Sequence, residues 1–230
     1  MDRPTRTRNV LGLCLLMSSL TLAACVQRAE EMRAFPSPAS DALTLAAAGS
    51  EKRSVVLAGG CFWCTEAVFE ELWGVEEVVS GYAGGTAETA EYKTVSSGGT
   101  EHAEVIQITF DPARISYGHL LEVFFAVAHD PTQLNYQGPD QGRQYRSAIF
   151  FVDEAEKETA QAYIRQLTEA GVYADPIVTT LERLEAFYAA EDYHQDFVRR
   201  NPRQSYVVRF ARPKVAKVRK RYAELLTAPG

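Results

Sequence analysis

The chain is poor in cysteine, with four in 230 residues, at positions 14, 25, 61 and 64. That scarcity excludes a disulfide-stapled scaffold. Histidine is equally sparse: His102, His119, His129 and His194 are scattered, with no HxxxH pair. A zinc site on Cys61 and Cys64 needs a second ligand pair at matched spacing, and the sequence offers none. Positive charge is in deficit, with 24 Lys and Arg against 30 Asp and Glu, a net charge of −6. Removing residues 1–24 takes away three Arg and one Asp and leaves −8. That balance argues against nucleic acid as the main partner. There are no internal repeats, and no histidine sits in a glycine-elbow motif, which disfavours ordinary proton-transfer hydrolysis.

The termini separate from the rest by composition. Arg3, Arg6 and Arg8 form a basic leader, followed by an apolar run from Val10 to Leu22. That run is about 13 residues, too short to span a bilayer as a stable helix. Leu22-Ala23-Ala24-Cys25 follows and resembles a bacterial lipobox, with Cys25 as the lipid-modified first residue of the mature chain. Val26 stands where aspartate would favour inner-membrane retention, which points to a lipid-anchored protein of the cell envelope, at the outer membrane or facing the periplasm. Residues 25–53 hold Pro36, Pro38 and an alanine run without apolar period, and read as a tether. At the other end, Val215, Val218, Tyr222 and Leu225 recur at helical spacing among Lys and Arg. A helix docking an apolar stripe is expected there, with contact to anionic lipid or nucleic acid as the alternative.

Residues 54–230 form one domain, large enough to bury a core. Strands are expected at 54–60 (SVVLAGG), 75–85, 104–111, 147–153 and 176–182, and at 206–210 (YVVRF). Helices are expected at 61–74, at 116–130 behind a Ser116 cap, and at 154–171, with Gly74 closing the first. Strands and helices alternate, so the class is an α/β or α+β sheet with helices packed on it.

The most informative stretch is GGCFWCTE, residues 59–66. A strand ending in two glycines and running at once into a helix places Cys61 at a helix N-terminus. Unpaired N–H groups and the helix dipole favour a thiolate there. Cys61 as a small packed residue is the bland alternative, but a Gly-Gly approach opens access to the sulfur that packing alone does not need. Of Phe62 and Trp63, at least one belongs in the core. Glu66 reads as a helix-terminus charge.

GGCFWCTE resembles the signature of the A-type peptide-methionine sulfoxide reductases, usually GCFWGxE. SGYAGG (80–85), YKTV (92–95), TEHAE (100–104), HDPTQ (129–133), QGPDQGRQYRSAIF (137–150) and AEDYHQDFVRRNP (190–202) resemble further blocks of that family in the same order. The resemblance covers about 54 to 205. It implies an α+β fold, a two-layer α/β sandwich with a ferredoxin-like mixed sheet. It implies repair of oxidised methionine, protein-bound or free, with a preference for the S epimer of the sulfoxide. Cys61 thiolate would attack the sulfoxide sulfur and become a sulfenic acid. Glu104 would protonate the departing oxygen and must stay protonated near neutral pH, so burial is expected around it. Tyr92 and Tyr145 would hydrogen-bond the oxygen, and Asp140 would support them. Phe62 and Trp63 would seat the S-methyl group. No bound cofactor or metal is implied. The partners are oxidised proteins or free methionine sulfoxide and a thioredoxin-like dithiol reductant, with a monomer expected. His102, His129 and His194 are expected to be structural hydrogen-bonders.

Three departures stand out. Cys64 replaces the glycine after CFW, Glu101 precedes His102 where glycine is common, and Pro139 takes the place of an asparagine. Many relatives carry resolving cysteines in a Gly-rich tail, but no cysteine follows position 64 here. Residues three apart on a helical turn lie about 5–6 Å apart at Cβ, within disulfide reach. Cys64 is therefore the expected resolving residue, with direct attack of reductant on Cys61 as the alternative. Two other functions compete: a thioredoxin-like thiol–disulfide oxidoreductase using the CFWC pair, and a lipid-anchored binding module without chemistry. The first makes Glu104 and Tyr145 dispensable, and the second leaves Cys61 unreactive.

Overall fold

The computed structural model describes residues 35–39 and 51–226. The chain divides into two units, Met1–Phe35 and Pro36–Gly230, and the second carries the fold. The leader at 1–24, Cys25 and most of the 25–53 tether lie outside the described residues. Among the described residues, no helix is long and apolar enough to cross a membrane.

The chain runs β1 (Arg53–Gly59), α1 (Phe62–Phe69), β2 (Val75–Ala83), α2 (Tyr92–Ser96), β3 (Ala103–Phe110) and α3 (Tyr117–Val123). A short hairpin follows, β4 (Tyr136–Gln137) and β5 (Asp140–Gln141), then β6 (Ser147–Phe151), α4 (Glu154–Glu169), β7 (Thr180–Arg183) and β8 (Phe187–Ala189). Two helices close it, α5 (Phe197–Arg200) and α6 (Arg212–Arg221). Six strands share one mixed sheet in the order β7-β6-β1-β3-β2-β8. β3 pairs antiparallel with both β1 and β2, β1 antiparallel with β6, and only β6 and β7 pair in parallel, through α4. The sequence β1-α1-β2-β3-α3-β6 with spatial order β6-β1-β3-β2 is the expected ferredoxin-like split unit. β7 and β8 extend it at the two edges.

β1 is central, and its last five residues are buried. That is why it reads as an unbroken apolar run rather than an alternating one. Small residues dominate one cluster on the sheet: Val56, Ala58, Ala83, Ala103, Val105, Ala148 and Phe150, sealed by Leu184 and Phe187. α3 starts at Ser116, whose side chain accepts from the His119 N–H, and continues as a π-helical stretch, Phe124–Ala128. Asp153 caps α4 in the same way through the Glu156 N–H.

Several expected boundaries moved. α1 stops at Phe69 instead of reaching Gly74, and Trp73 is left 48% exposed with the Arg114 guanidinium over its ring. The strand expected at 176–182 is reduced to Thr180–Arg183. The strand expected at 206–210 is instead a π-helical turn, Val207–Ala211, leading into α6. Its two valines suggested a strand, but Tyr206/Phe210 and Val207/Ala211 each repeat four apart and pack helically against the cysteines. α6 buries Val218, and Tyr222 just past its end is buried too, two of the four residues of the expected apolar stripe. α2 and β8 were not foreseen. Within the stretch read as tether, Pro36 to Ala39 lie along α4: the Tyr163 hydroxyl donates to the Pro36 carbonyl at 2.6 Å. Gln166 donates to the Ser37 carbonyl at 2.8 Å and accepts from the Ala39 N–H at 2.9 Å.

Candidate active site

The site forms where β1 hands over to α1. Gly60 has φ +85°, a conformation that favours glycine, and a Cβ there would stand 2.5 Å from Gln137. This close approach brings the β4–β5 hairpin against the start of α1. Cys61 is the N-cap residue, and its carbonyl accepts from the Cys64 N–H at 3.0 Å, which folds the two cysteines onto one turn. Both are free thiols. Cys61 keeps 8% of its surface exposed and Cys64 2%.

β3 delivers Glu104 to the same spot. The residue is 1% exposed, and its Oε2 accepts from the Phe62 N–H at 3.1 Å, one residue beyond Cys61. Burial pushes its carboxyl up to about 8, against the pull of that hydrogen bond. The carboxyl is therefore mostly protonated at neutral pH and carries a proton to give. Burial likewise pushes the Cys61 thiol well up, reinforced by Cys64 beside it. Cys64 moves down, because the hydrogen bond from Cys61 outweighs its own burial. The two sulfurs titrate as one pair. The lowering expected at Cys61 from the helix start is thus outweighed by desolvation.

Aromatic rings wall the cysteines. Phe62 is buried and lies 5.9 Å from Tyr82, 6.5 Å from Tyr92 and 5.0 Å from His194, centroid to centroid. Trp63 stacks on Phe197 at 3.7 Å and donates its indole N–H to His194 Nδ1 at 3.1 Å. The Glu191 carboxylate receives both the Tyr82 hydroxyl and the Tyr92 backbone N–H, each at 2.9 Å, and so ties α2 to β2. Tyr92, first residue of α2, is pushed up to about 12 by burial, and Tyr145 is raised further by the same cause. Both phenols stay protonated and can donate. Asp140 opens β5 and receives the Tyr206 hydroxyl, which also meets Cys64 Sγ at 3.9 Å. Cys61 and Cys64 pack with Val207 and Ala211, rimmed by Trp63, Tyr145, Phe197, Tyr206 and Phe210.

The architecture and the order of these groups invite comparison with known proteins. The family model for peptide methionine sulfoxide reductase matches residues 53–226. The chain belongs to that family. The peptide methionine sulfoxide reductase MsrA 2 of Synechocystis sp. is 53% identical over 198 residues, 85% of this chain and 92% of the relative. MsrA of Natronomonas pharaonis is 55% identical over 171 residues, 74% and 96% of the two chains. Among solved structures, methionine sulfoxide reductase A of Corynebacterium diphtheriae superposes with a TM-score of 0.55 at 31% identity, over 73% of this chain and 82% of that one. The reaction of this reductase is the reduction of methionine sulfoxide, an oxidoreductase chemistry. A thioredoxin-like role for the CFWC pair is not favoured.

The residues singled out in the sequence converge: Cys61, Phe62, Trp63 and Cys64 on α1, Tyr92 on α2, Glu104 on β3, Asp140 on the hairpin, and Tyr145 just before β6. The partner of Asp140 is Tyr206, not Tyr92 or Tyr145. Pro139 sits in the Gly138-Pro139 turn that joins Gln137 to Asp140, so it shapes the hairpin carrying the aspartate. Glu101 pairs with Arg143, two residues before Tyr145. His102 and His129 bond to the Thr86 and Phe124 carbonyls, as structural residues do. Two roles escaped the sequence reading, those of Glu66 and Tyr206. Glu66 is buried, accepts from Ser80 Oγ at 3.2 Å, and is pushed up to about 7 by burial. His194, expected as a structural hydrogen-bonder, is one: it accepts from the Trp63 indole and anchors that ring. Tyr206 was lost inside the supposed strand, and its four-residue spacing to Phe210 was the signal available.

Proposed function

We propose that Cys61 is the nucleophile of methionine sulfoxide reduction and Glu104 its proton donor. The observation that carries this reading is the Glu104 carboxyl, sealed against the Phe62 N–H beside Cys61 and neutral up to about pH 8. As the sulfoxide seats, the Cys64 sulfur accepts the Cys61 proton. Cys61 thiolate attacks the sulfoxide sulfur while Glu104 gives its proton to the oxygen. The S–O bond to methionine breaks, methionine leaves reduced, and Cys61 holds the oxygen as sulfenic acid. Glu104 regains a proton from solvent. Tyr92 and Tyr145 donate to the oxygen as negative charge grows on it, and Asp140 steadies this side of the site. Phe62 and Trp63 form the seat for the S-methyl group, and the S epimer is the preferred substrate, in keeping with the family resemblance.

Cys64 then resolves the sulfenic acid into a Cys61–Cys64 disulfide, and an external thioredoxin-like dithiol reduces that bond. The shared helical turn supports this assignment, as does the lack of any cysteine beyond 64. The substrates are oxidised proteins or free methionine sulfoxide, and the working form is a monomer. We further propose that residues 1–24 are a lipoprotein signal, that Cys25 is acylated, that residues 25–53 tether the domain 54–230, and that the enzyme works in the cell envelope. The basic leader, the short apolar run and Leu-Ala-Ala-Cys support this.

The test is a reductant-coupled assay on resolved sulfoxide epimers with wild type, C61S and C64S side by side. C61S should lose all turnover, and C64S should release one methionine and stall when the reductant is a protein dithiol. Sulfoxide reduction by C61S at the wild-type rate would sink the assignment.

A further inference from the structure

Tyr206 has the best-placed hydroxyl in the site without an assigned role. It precedes the π-helical turn Val207–Ala211, and its ring is held between Trp63, edge-on at 5.9 Å, and Phe210 at 4.9 Å. The hydroxyl touches three groups at once. It donates to Asp140 Oδ2, stands 3.9 Å from Cys64 Sγ, and is in hydrogen-bonding reach of Cys61. A hydroxyl that meets both sulfurs and a carboxylate can move a proton between them. On the α6 side, Lys214 is fixed by the Ala128 carbonyl at 2.6 Å, and its charge favours the ionised forms of both Cys64 and Asp140.

The inference rests on Cys64 as the resolving residue. After the first step Cys64 holds the proton it took from Cys61, and a thiol is a far weaker nucleophile than a thiolate. We propose that Tyr206, backed by Asp140, carries the proton of the resolving step. The Cys64 S–H passes its proton to the Tyr206 oxygen while Tyr206 passes its own to Asp140. Cys64 thiolate attacks Cys61 Sγ, the S–S bond forms, and the S–O bond of the sulfenic acid breaks. The leaving hydroxide collects the proton back through Tyr206 and departs as water. Tyr206 and Asp140 end as they began, and one thiol and one sulfenic acid have become one disulfide and one water. The proposal gives the π-helical turn a purpose, since it aims Tyr206 and Phe210 at the cysteines from a segment that carries no cysteine.

The experiment is a single turnover without reductant on wild type, Y206F and C64S. Remaining free thiols are counted per methionine released, and sulfenic acid is trapped with dimedone and weighed by mass spectrometry. Wild type should lose two thiols per methionine and give almost no adduct, whereas C64S should give one adduct per methionine. Y206F should close its disulfide at least about tenfold more slowly at pH 7 and accumulate adduct. Its closure rate should climb toward wild type as pH rises and solvent hydroxide deprotonates Cys64. Closure by Y206F at the wild-type rate overturns the proposal, and so does slow closure that stays flat between pH 7 and 9, the mark of a packing role. Wild-type disulfide closure and recycling in C64S would instead remove the assignment of Cys64, and the proposal with it.

Discussion

Two carboxyls press on α1, and their difference shows how one perturbation serves two ends. Glu104 reaches the helix from β3 and meets its first N–H; Glu66 belongs to the helix and meets Ser80 of β2. Each is 1% exposed. Burial raises both, Glu104 to about 8 and Glu66 to about 7. Burial alone therefore does not make a proton donor. Glu104 stands beside Cys61, whereas Glu66 points to the region where Asp196 and Phe197 start α5, and Phe197 carries the ring that stacks on Trp63. The first carboxyl can act on a substrate, and the second supports the wall around it.

The sharpest way to break this contrast is E104Q. It keeps the shape and removes the proton, so kcat/KM should fall by about 10²–10⁴-fold. Wild-type activity should also lose its donor as pH rises through about 8, a limb that E104Q should lack. A steady-state pH profile of both proteins checks this.

E66Q should leave a far larger share of activity and show itself in stability. The folded pKa of Glu66 is raised from 4.5 to about 7, so the native state binds more protons than the unfolded chain between those values. Stability should therefore fall as pH rises through that window and level off above it. E66Q should remove this slope, matching wild type near pH 4 and exceeding it by about 1–3 kcal/mol at pH 8. Urea unfolding at the two pH values reads it out, and an unchanged slope would contradict the burial argument.

W63A should give the smallest change. It removes the stack on Phe197 and the hydrogen bond to His194, and KM should rise about tenfold with a lesser change in kcat. An equal fall in kcat and kcat/KM would instead mean that Trp63 acts only in the transition state.

Much of this arrangement was legible in the sequence. Gly59-Gly60 before Cys61 signalled the strand-to-helix handover, and the βαββαβ order emerged from alternating apolar segments. What stayed hidden had physical causes. Glu66 looked like a terminus charge because a helix position does not reveal which neighbour covers it. The thiol order of Cys61 and Cys64 depends on desolvation, which outweighs the helix start that the sequence displays. Tyr206 vanished because a π-helical turn breaks the 3.6-residue period and its two valines imitate a strand. Trp73 falls outside the first helix because α1 ends at Phe69, short of the expected Gly74.

The strap of Pro36 to Ala39 along α4 would set how far the enzyme reaches from a lipid anchor at Cys25. With Cys25 acylated as proposed, the chain from Cys25 to Pro36 has a contour of no more than about 40 Å. Had residues 25–53 all been slack, the reach would have been more than twice as long. The catalyst would then patrol a thin layer above the bilayer, and cutting the strap with Y163F and Q166A would widen its range without touching a single group around the sulfurs.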